Sequence, residues 1–556
     1  MKKMPLFKKF LKDLLCCFLI IQIPSTGFAM ETNYNRTLNI PAASNNTDLY
    51  LEISDYSQNL TPRAGDFTEA QTPRMNSCNV EEKTGCWSDP VKRQGVLEYG
   101  QIPYYVLFIY AIPFAVAFSL PSDDVNNLFW FGLGVTIFNN TLILAENAAS
   151  FPVWWKSTKR HITNAEQAEE YHREGHHKEL GAIIAAYLPN EIGEMHDTLN
   201  SMVKIDVPEG ARLTIIVAHN GGSQENIEQL RSIINELPFR DDCDVLEMDF
   251  KESTSKSHNV NGAVKYFKES GATPSVCAIY DADHQPNPES FKRALVSLDA
   301  ENADILQGRC VASRVEGFLG NLVSIEFDII YGVNHPGGMV VHQFAIFGGT
   351  NGYWNFDTLD QVGMDPTMLT EDIDSAFRAL RAGKKIIFDP LVITHEEAPP
   401  TLQAFIKQRF RWTQGWSQVA KRSAGMYCDS ATQLNPYQKV MAGLFLHWRE
   451  VGNYVGAYTL PAAVASYVNS DSSSGISIPL IVASSAMTMV PAVSAVISQW
   501  HVNGTVNRDF SAARLGKFCL VAPAFEQFKN ALAVIGHYRN LCGMTKWKVT
   551  KRKEKS

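Results

Sequence analysis

At 556 residues the chain is longer than one ordinary domain, and its net charge of -8 at pH 7 gives no electrostatic reason to expect nucleic acid as a partner. Its 10 cysteines include no CxxC pair and none at zinc-ligand spacing to a histidine, which argues against a structural metal site.

In residues 1–100, Lys2, Lys3, Lys8, Lys9 and Lys12 precede the apolar "LLCCFLIIQI", and "GFA" ends at the small residue Ala29. The pattern fits a signal peptide, a short surface anchor that does not cross, or an extra span. Cys78 and Cys86 could pair only if this region were extracellular. Residues 101–150 hold two apolar runs, 104–120 and 128–144, near the length of a membrane crossing. The loop 121–127 is acidic while "KRQ" and "KSTKR" flank the pair, so the positive-inside rule places both flanks in the cytoplasm.

Residues 175–425 carry most of the charge and read as a cytoplasmic α/β domain inserted between the membrane helices. The apolar runs "LGAIIAAYL", "LTIIVAH", "CDVLEMDF" and "SVCAIYDAD" alternate with helical stretches at 227–237 and 257–269. Such runs predict a mostly parallel sheet covered by helices on both faces, with ligands beyond the carboxyl ends of its strands. The polar residues there are Asn190 and Glu191, His219 and Asn220, and Asp281 with Asp283.

"AIYDADHQPNP" places Asp281 and Asp283 one residue apart at a strand exit, and Pro286 and Pro288 delay the next helix. Two such carboxylates can hold a hard divalent cation that keeps phosphate oxygens as its other ligands; a solvated acidic turn is the plain alternative. In "MLTEDIDSAFRAL", Thr370 reads as a helix N-cap, which by itself accounts for Glu371 and Asp372 in the first turn. A carboxylate there, beside a metal site, could equally deprotonate a sugar hydroxyl. In "KQRFRWTQGW", Gln408, Arg411 and Trp412 share one helix face, suited to phosphate and to the apolar side of a pyranose. Phe410 and Trp416 are expected to seat that helix at the bilayer surface.

Residues 436–545 supply further apolar runs at 451–468 and 476–497, a polar loop "NSDSSSG", and a stretch 515–541 interrupted by Glu526, Lys529 and Arg539. That last stretch is expected to lie along the interface or re-enter, before a basic cytoplasmic tail, 546–556. A transporter reading is disfavoured, because no run shows the buried ionisable pairs of a conduction pathway.

The order of these pieces, with "AAYLPNE" and "SKSHNVNGAVKY", resembles the processive inverting glycosyltransferases of family 2, the membrane synthases that include cellulose, chitin and hyaluronan synthases. The resemblance spans roughly 180–421 and implies a GT-A fold with a DxD and a QxxRW motif. It implies that Glu191 and Asn220 meet the nucleotide base and that Lys256 approaches the diphosphate. Asp281 would contact the nucleotide, and Asp283 would bind Mg2+ or Mn2+. Asp372 would be the general base, with Glu371 beside it. Gly349 and Thr350 of "FGGTNGYW", with Gln408, Arg411 and Trp412, would line the acceptor and diphosphate side.

The implied reaction transfers a sugar from a nucleotide sugar, UDP-linked in many members, to a growing polysaccharide at the plasma (inner) membrane. Transfer of one sugar to a lipid acceptor, or an inactive nucleotide-sugar-binding subunit, are the alternatives; an export or accessory partner is left open. One departure is "VAHNGG", where His219 and Asn220 replace the usual acidic residue. "HEEAPP" resembles bacterial relatives of the exopolysaccharide type.

Overall fold

The computed structural model describes residues 102–238, 240–315, 317–469, 487, 489–505 and 511–542. The signal-like segment, Cys78, Cys86, the loop after Asn469, most of the run 476–497 and the basic tail lie outside the described residues.

The central element is an eight-stranded sheet in the order β3-β2-β1-β4-β7-β6-β8-β5. Its strands are β1 (Glu179–Tyr187), β2 (Arg212–Asn220), β3 (Cys243–Asp249), β4 (Val276–Asp281), β5 (Gln285–Pro286), β6 (Ile305–Arg314), β7 (Gly352–Asn355) and β8 (Ile386–Glu397). β1 pairs in parallel with β2 and β4, β2 with β3, and β6 with β8. The sheet is mixed: β7 runs antiparallel between β4 and β6, and β5 is antiparallel to β8. The four apolar runs of the sequence are β1 to β4, and their lack of alternation has a simple cause. Every residue from Leu180 to Ala186 is buried, because helices cover both faces.

One face of the sheet packs Ile183, Ile216, Phe267 and Trp354 into a core that continues to Phe405 and Phe525. The other packs Ile184, Ile215, Tyr280 and Tyr353 against Leu199 and Phe291. Register then aligns the strand ends: Tyr187 lies opposite Asn220, and Ala185 opposite Asp281. Pro286 delays the next helix as expected, since the chain adds β5 to the edge before the Ser290–Glu301 helix begins.

Among the described residues two helical stretches are long and apolar enough to cross a membrane, Ser122–Thr163 and Ala512–Leu541. The runs expected at 104–120 and 451–468 form the helices Ile102–Ser119 and Arg449–Asn469. The second carries Asn453, Tyr454, Tyr458 and Thr459 and falls short of that measure. The stretch 515–541, whose apolar pattern is interrupted by charges, lies within one continuous 30-residue helix, Ala512–Leu541.

Its charges persist because they are paired. Lys529 Nζ meets Glu526 Oε1 at 2.8 Å and Glu326 Oε1 at 2.8 Å, and His537 pairs with Glu450. On the Ser122–Thr158 helix Glu146 pairs with His342 at 3.3 Å. Ionisable pairs are therefore present on the apolar helices, contrary to the sequence expectation. Lys529 and Glu326 stand 203 positions apart, which no local pattern can register.

Candidate active site

The carboxyl ends of β1 and β2 form one half of the site region. Tyr187 N–H donates to Glu191 Oε2 at 2.8 Å, so Glu191 closes the first turn of the Leu188–Met202 helix. Asn220 Nδ2 donates to the Ser253 carbonyl at 2.9 Å, and its Oδ1 accepts from Asn259 Nδ2 at 3.0 Å. The buried His219 ring lies 3.0 Å from Glu247 Oε1, and Arg231 Nε donates to the other oxygen at 2.7 Å. The bond to His219 outweighs burial and, with Arg231, lowers the Glu247 pKa to about 2.

The other half gathers at the end of β4. Lys256, in the first turn of a helix capped by Ser255, bonds the Asp281 carboxylate and donates to the Gly349 carbonyl at 2.5 Å. Burial alone would lower the Lys256 pKa; Asp281, Glu371 and Asp372 outweigh it and raise it. Burial would raise the Asp281 pKa, but Lys256, His284 and Arg411 together hold it below the ordinary value.

Gly349 and Thr350 belong to the turn leading into β7. Gly349 has φ +96°, and a Cβ there would lie 2.9 Å from Asp372 Oδ2, so glycine is required twice over. Asp281 N–H donates to Thr350 Oγ1 at 3.1 Å. The turn is held from below by the buried Gln307, which accepts from Gly348 N–H at 2.7 Å and donates to the Thr350 carbonyl at 2.9 Å. Asn351 Nδ2 donates to the Arg309 and Val392 carbonyls at 3.1 and 3.0 Å. Neither Gln307 nor Asn351 was singled out from sequence.

Asp372 is in the first turn of the Glu371–Arg381 helix. Burial and the neighbouring Glu371 raise its pKa to about 7, against the Ile373 N–H, Lys256 and Arg411, which act to lower it. Thr370 occupies the N-cap position but makes no capping bond, unlike Ser255 and Thr401 at their helices. Its hydroxyl is buried without a hydrogen-bond partner. The capping explanation for "TED" therefore fails at its first residue. Gly415 packs closely against Thr370, since a Cβ added there would lie 2.5 Å from Oγ1.

Gly415 lies on the Leu402–Ser423 helix, which also receives Leu369 N–H on Gln418 Oε1 at 3.0 Å. The same helix brings Arg411 near enough to act on both Asp281 and Asp372. Gln408 Oε1 is buried with no hydrogen-bond partner.

Trp412 differs from expectation: the Arg409 guanidinium lies 4.2 Å from its ring centroid, so one indole face is already covered. Arg409 in turn donates to Glu326 Oε2 at 2.6 Å. Phe410 and Trp416 do not seat the helix on a surface. Phe410 is buried beside Arg539, and Trp416 packs edge-on against Phe445 under Arg449.

Asp283 is buried just past β4, and the next residue, His284, has Nε2 3.6 Å from Glu396 Oε2. No three His, Cys, Asp or Glu side chains gather as a ligand set among the described residues. The hard oxygens of Asp281 and Asp283 nevertheless fit a Mg2+-like ion that draws its remaining ligands from phosphate and water.

A mostly parallel sheet with its acidic and basic groups converging beyond β4 puts the candidate site where open α/β sheets bind their ligands. Residues 277–519 match the family model described as "Glycosyl transferase family group 2". The matched residues 277–519 carry a glycosyltransferase domain of that group. It is 27% identical over 240 residues to "Probable glycosyltransferase YdaM" of Bacillus subtilis (strain 168), covering 42% of this chain and 54% of that one. It is 30% identical over 151 residues to "Probable glucomannan 4-beta-mannosyltransferase 7" of Oryza sativa subsp. japonica, 26% of each chain. The chain thus spans between about a quarter and about half the length of these relatives. Among solved structures it is similar to the mannosyltransferase PcManGT from Pyrobaculum calidifontis in complex with GDP-Man and Mn2+. That likeness has a TM-score of 0.41 and 15% identity, and covers 71% of this chain and 98% of the other.

Proposed function

We propose that the protein is a membrane-embedded, inverting glycosyltransferase of GT-A type that moves a sugar from a nucleoside-diphosphate sugar onto a growing polysaccharide. The observation that carries this reading is the convergence of Lys256, Asp281, Asp372 and Arg411 on the Gly349–Thr350 turn.

Asp372, with a pKa near 7, suits a general base at neutral pH. It takes the proton of an acceptor hydroxyl. The oxygen then attacks the anomeric carbon from the face opposite the nucleotide, the bond from that carbon to the diphosphate oxygen breaks with its electron pair staying on the diphosphate, and configuration inverts. Arg411 and Lys256 stabilise the charge that develops there. Asp283, with Asp281, would hold Mg2+ or Mn2+, whose chemistry when bound is to neutralise the diphosphate. The unsatisfied Gln408 Oε1 and Thr370 Oγ1 offer polar contacts to an acceptor.

The helices Ser122–Thr163 and Ala512–Leu541 support placement in the plasma (inner) membrane, and the basic flank "KSTKR" supports a cytoplasmic catalytic domain. The resemblance implies a UDP-sugar, while the mannosyltransferase names of relatives favour a mannosyl donor as a second reading. Purified protein with Mn2+ and a panel of radiolabelled UDP- and GDP-sugars tests both. Nucleotide release with polymeric product supports the proposal; a lipid-linked monosaccharide removes processivity. Absence of release with every donor, or full activity in Asp372→Asn, overturns it.

A further inference from the structure

A cavity of about 480 Å³ opens at the end of the Ser122–Thr158 helix, and its lining includes none of the residues assigned to the transfer site. Its walls are of two kinds. Pro152, Val153, Val340 and Phe344 make one side apolar, while Lys156, Arg160 and Lys385 meet Glu301, Arg160 also lies 3.7 Å from Asp389, and Lys384 is paired with Asp304 at 3.4 Å. Asp389 is already satisfied by Ser157 Oγ at 2.5 Å, His161 Nε2 at 2.8 Å and Ser297 Oγ at 2.6 Å. Glu301 is then shared by three cations: Lys156 Nζ and Arg160 Nη2 each lie 2.6 Å from its Oε1, and Lys385 Nζ lies 3.8 Å from its Oε2. The mouth keeps an excess of positive charge.

Its position narrows the ligand. Past its apolar stretch the helix carries Trp155, 67% exposed, with Lys159 Nζ 5.5 Å from the centroid of its ring. Tryptophan and lysine at the end of an apolar helix mark the level of lipid head groups. Val340, 48% exposed, extends the apolar wall outward. A free phosphate or a nucleotide would use the cations and leave that wall idle; a ligand with both an anionic head and an apolar body uses the two together.

We propose that this cavity binds an anionic phospholipid, its phosphate against Lys156, Arg160 and Lys385 and its acyl chains along Val153 and Val340. The proposal rests on reading Ser122–Thr163 as a membrane crossing, and it is independent of which sugar is transferred.

The test is labelling of the full chain, in neutral detergent micelles, by a photoactivatable phosphatidylglycerol, with the cross-linked peptides mapped. Labelling is expected within 152–160 and 383–389, displaced by phosphatidylglycerol and not by phosphatidylcholine. Apparent affinity should fall about fivefold for each lysine removed in Lys156→Gln and Lys385→Gln. Glu301→Gln, which removes the competing carboxylate at constant shape, should raise it. Three results overturn the proposal: labelling that ignores the lysine variants, labelling weakened by Glu301→Gln, or displacement by inorganic phosphate as complete as by the lipid, which would make this a free-phosphate site. Asp372→Asn should abolish sugar transfer and leave labelling unchanged, so failure of the lipid site and failure of the transferase reading are read separately.

Discussion

The two halves of the site region use their polar residues to different degrees. At the ends of β1 and β2, Glu191, His219 and Asn220 each bond within the scaffold, to Tyr187 N–H, Glu247, and Ser253 with Asn259, although His219 Nδ1 and Asn259 Oδ1 are left without hydrogen-bond partners. Beyond β4 the balance is left incomplete: Asp372 is pushed toward neutrality, Thr370 and Gln408 have buried oxygens without partners, and Gly349 is held at positive φ. Groups satisfied inside a protein hold structure. Groups kept partly unsatisfied are available to a substrate, and strain of this kind concentrates where chemistry occurs.

Four measurements would sharpen or break that contrast. Asp372→Asn removes the base at nearly constant shape, and its kcat should fall about 10³-fold; a loss of less than tenfold would put the chemistry elsewhere. Arg411→Ala should lower kcat/KM about 10²-fold with little change in thermal stability, since it acts on charge developing in the transition state. Lysine should rescue it incompletely, having no fork for two phosphate oxygens.

The pH profile gives the next effect. Asp372 must be deprotonated to act, so kcat/KM, which reports the free enzyme, should fall about tenfold per unit below its pKa of about 7 and level off above it. A limb near the ordinary carboxylate value would show that burial and Glu371 do not raise it. The smallest effect on rate is expected at Asn220→Ala. There the cost is in folding, about 1–3 kcal/mol for leaving Asn259 and the Ser253 carbonyl without their partner, read as a lowered Tm with kcat nearly unchanged.

What the sequence made legible depended on how local the signal was. β1 to β4 and the helices between them follow from continuous apolar runs, and Asp281, Asp283, Asp372 and Arg411 from short motifs, because each is written within about ten residues. The support of those motifs is long-range. Gln307 bonds the Gly348 turn across 41 positions, and Arg409 reaches Glu326 across 83. The second pairing also accounts for the covered face of Trp412, since "RFRW" gives no sign that its first arginine, Arg409, turns back over the indole. Thr370 misled for the converse reason: the cap pattern is local, while its packing against Gly415 is not.

The tie from Arg409 through Glu326 to Lys529 sets a limit on how the molecule can be dissected. A shortened chain ending before Ala512, the natural choice for a water-soluble catalytic fragment, would take away the cation on Glu326 Oε1 and the aromatic support of Phe525 for Phe405. Removing one partner from a buried ionic cluster typically costs about 3–5 kcal/mol. The strain would fall on the helix that carries Gln408, Arg411 and Trp412, so such a fragment would be a poor proxy for the intact enzyme even if it folded.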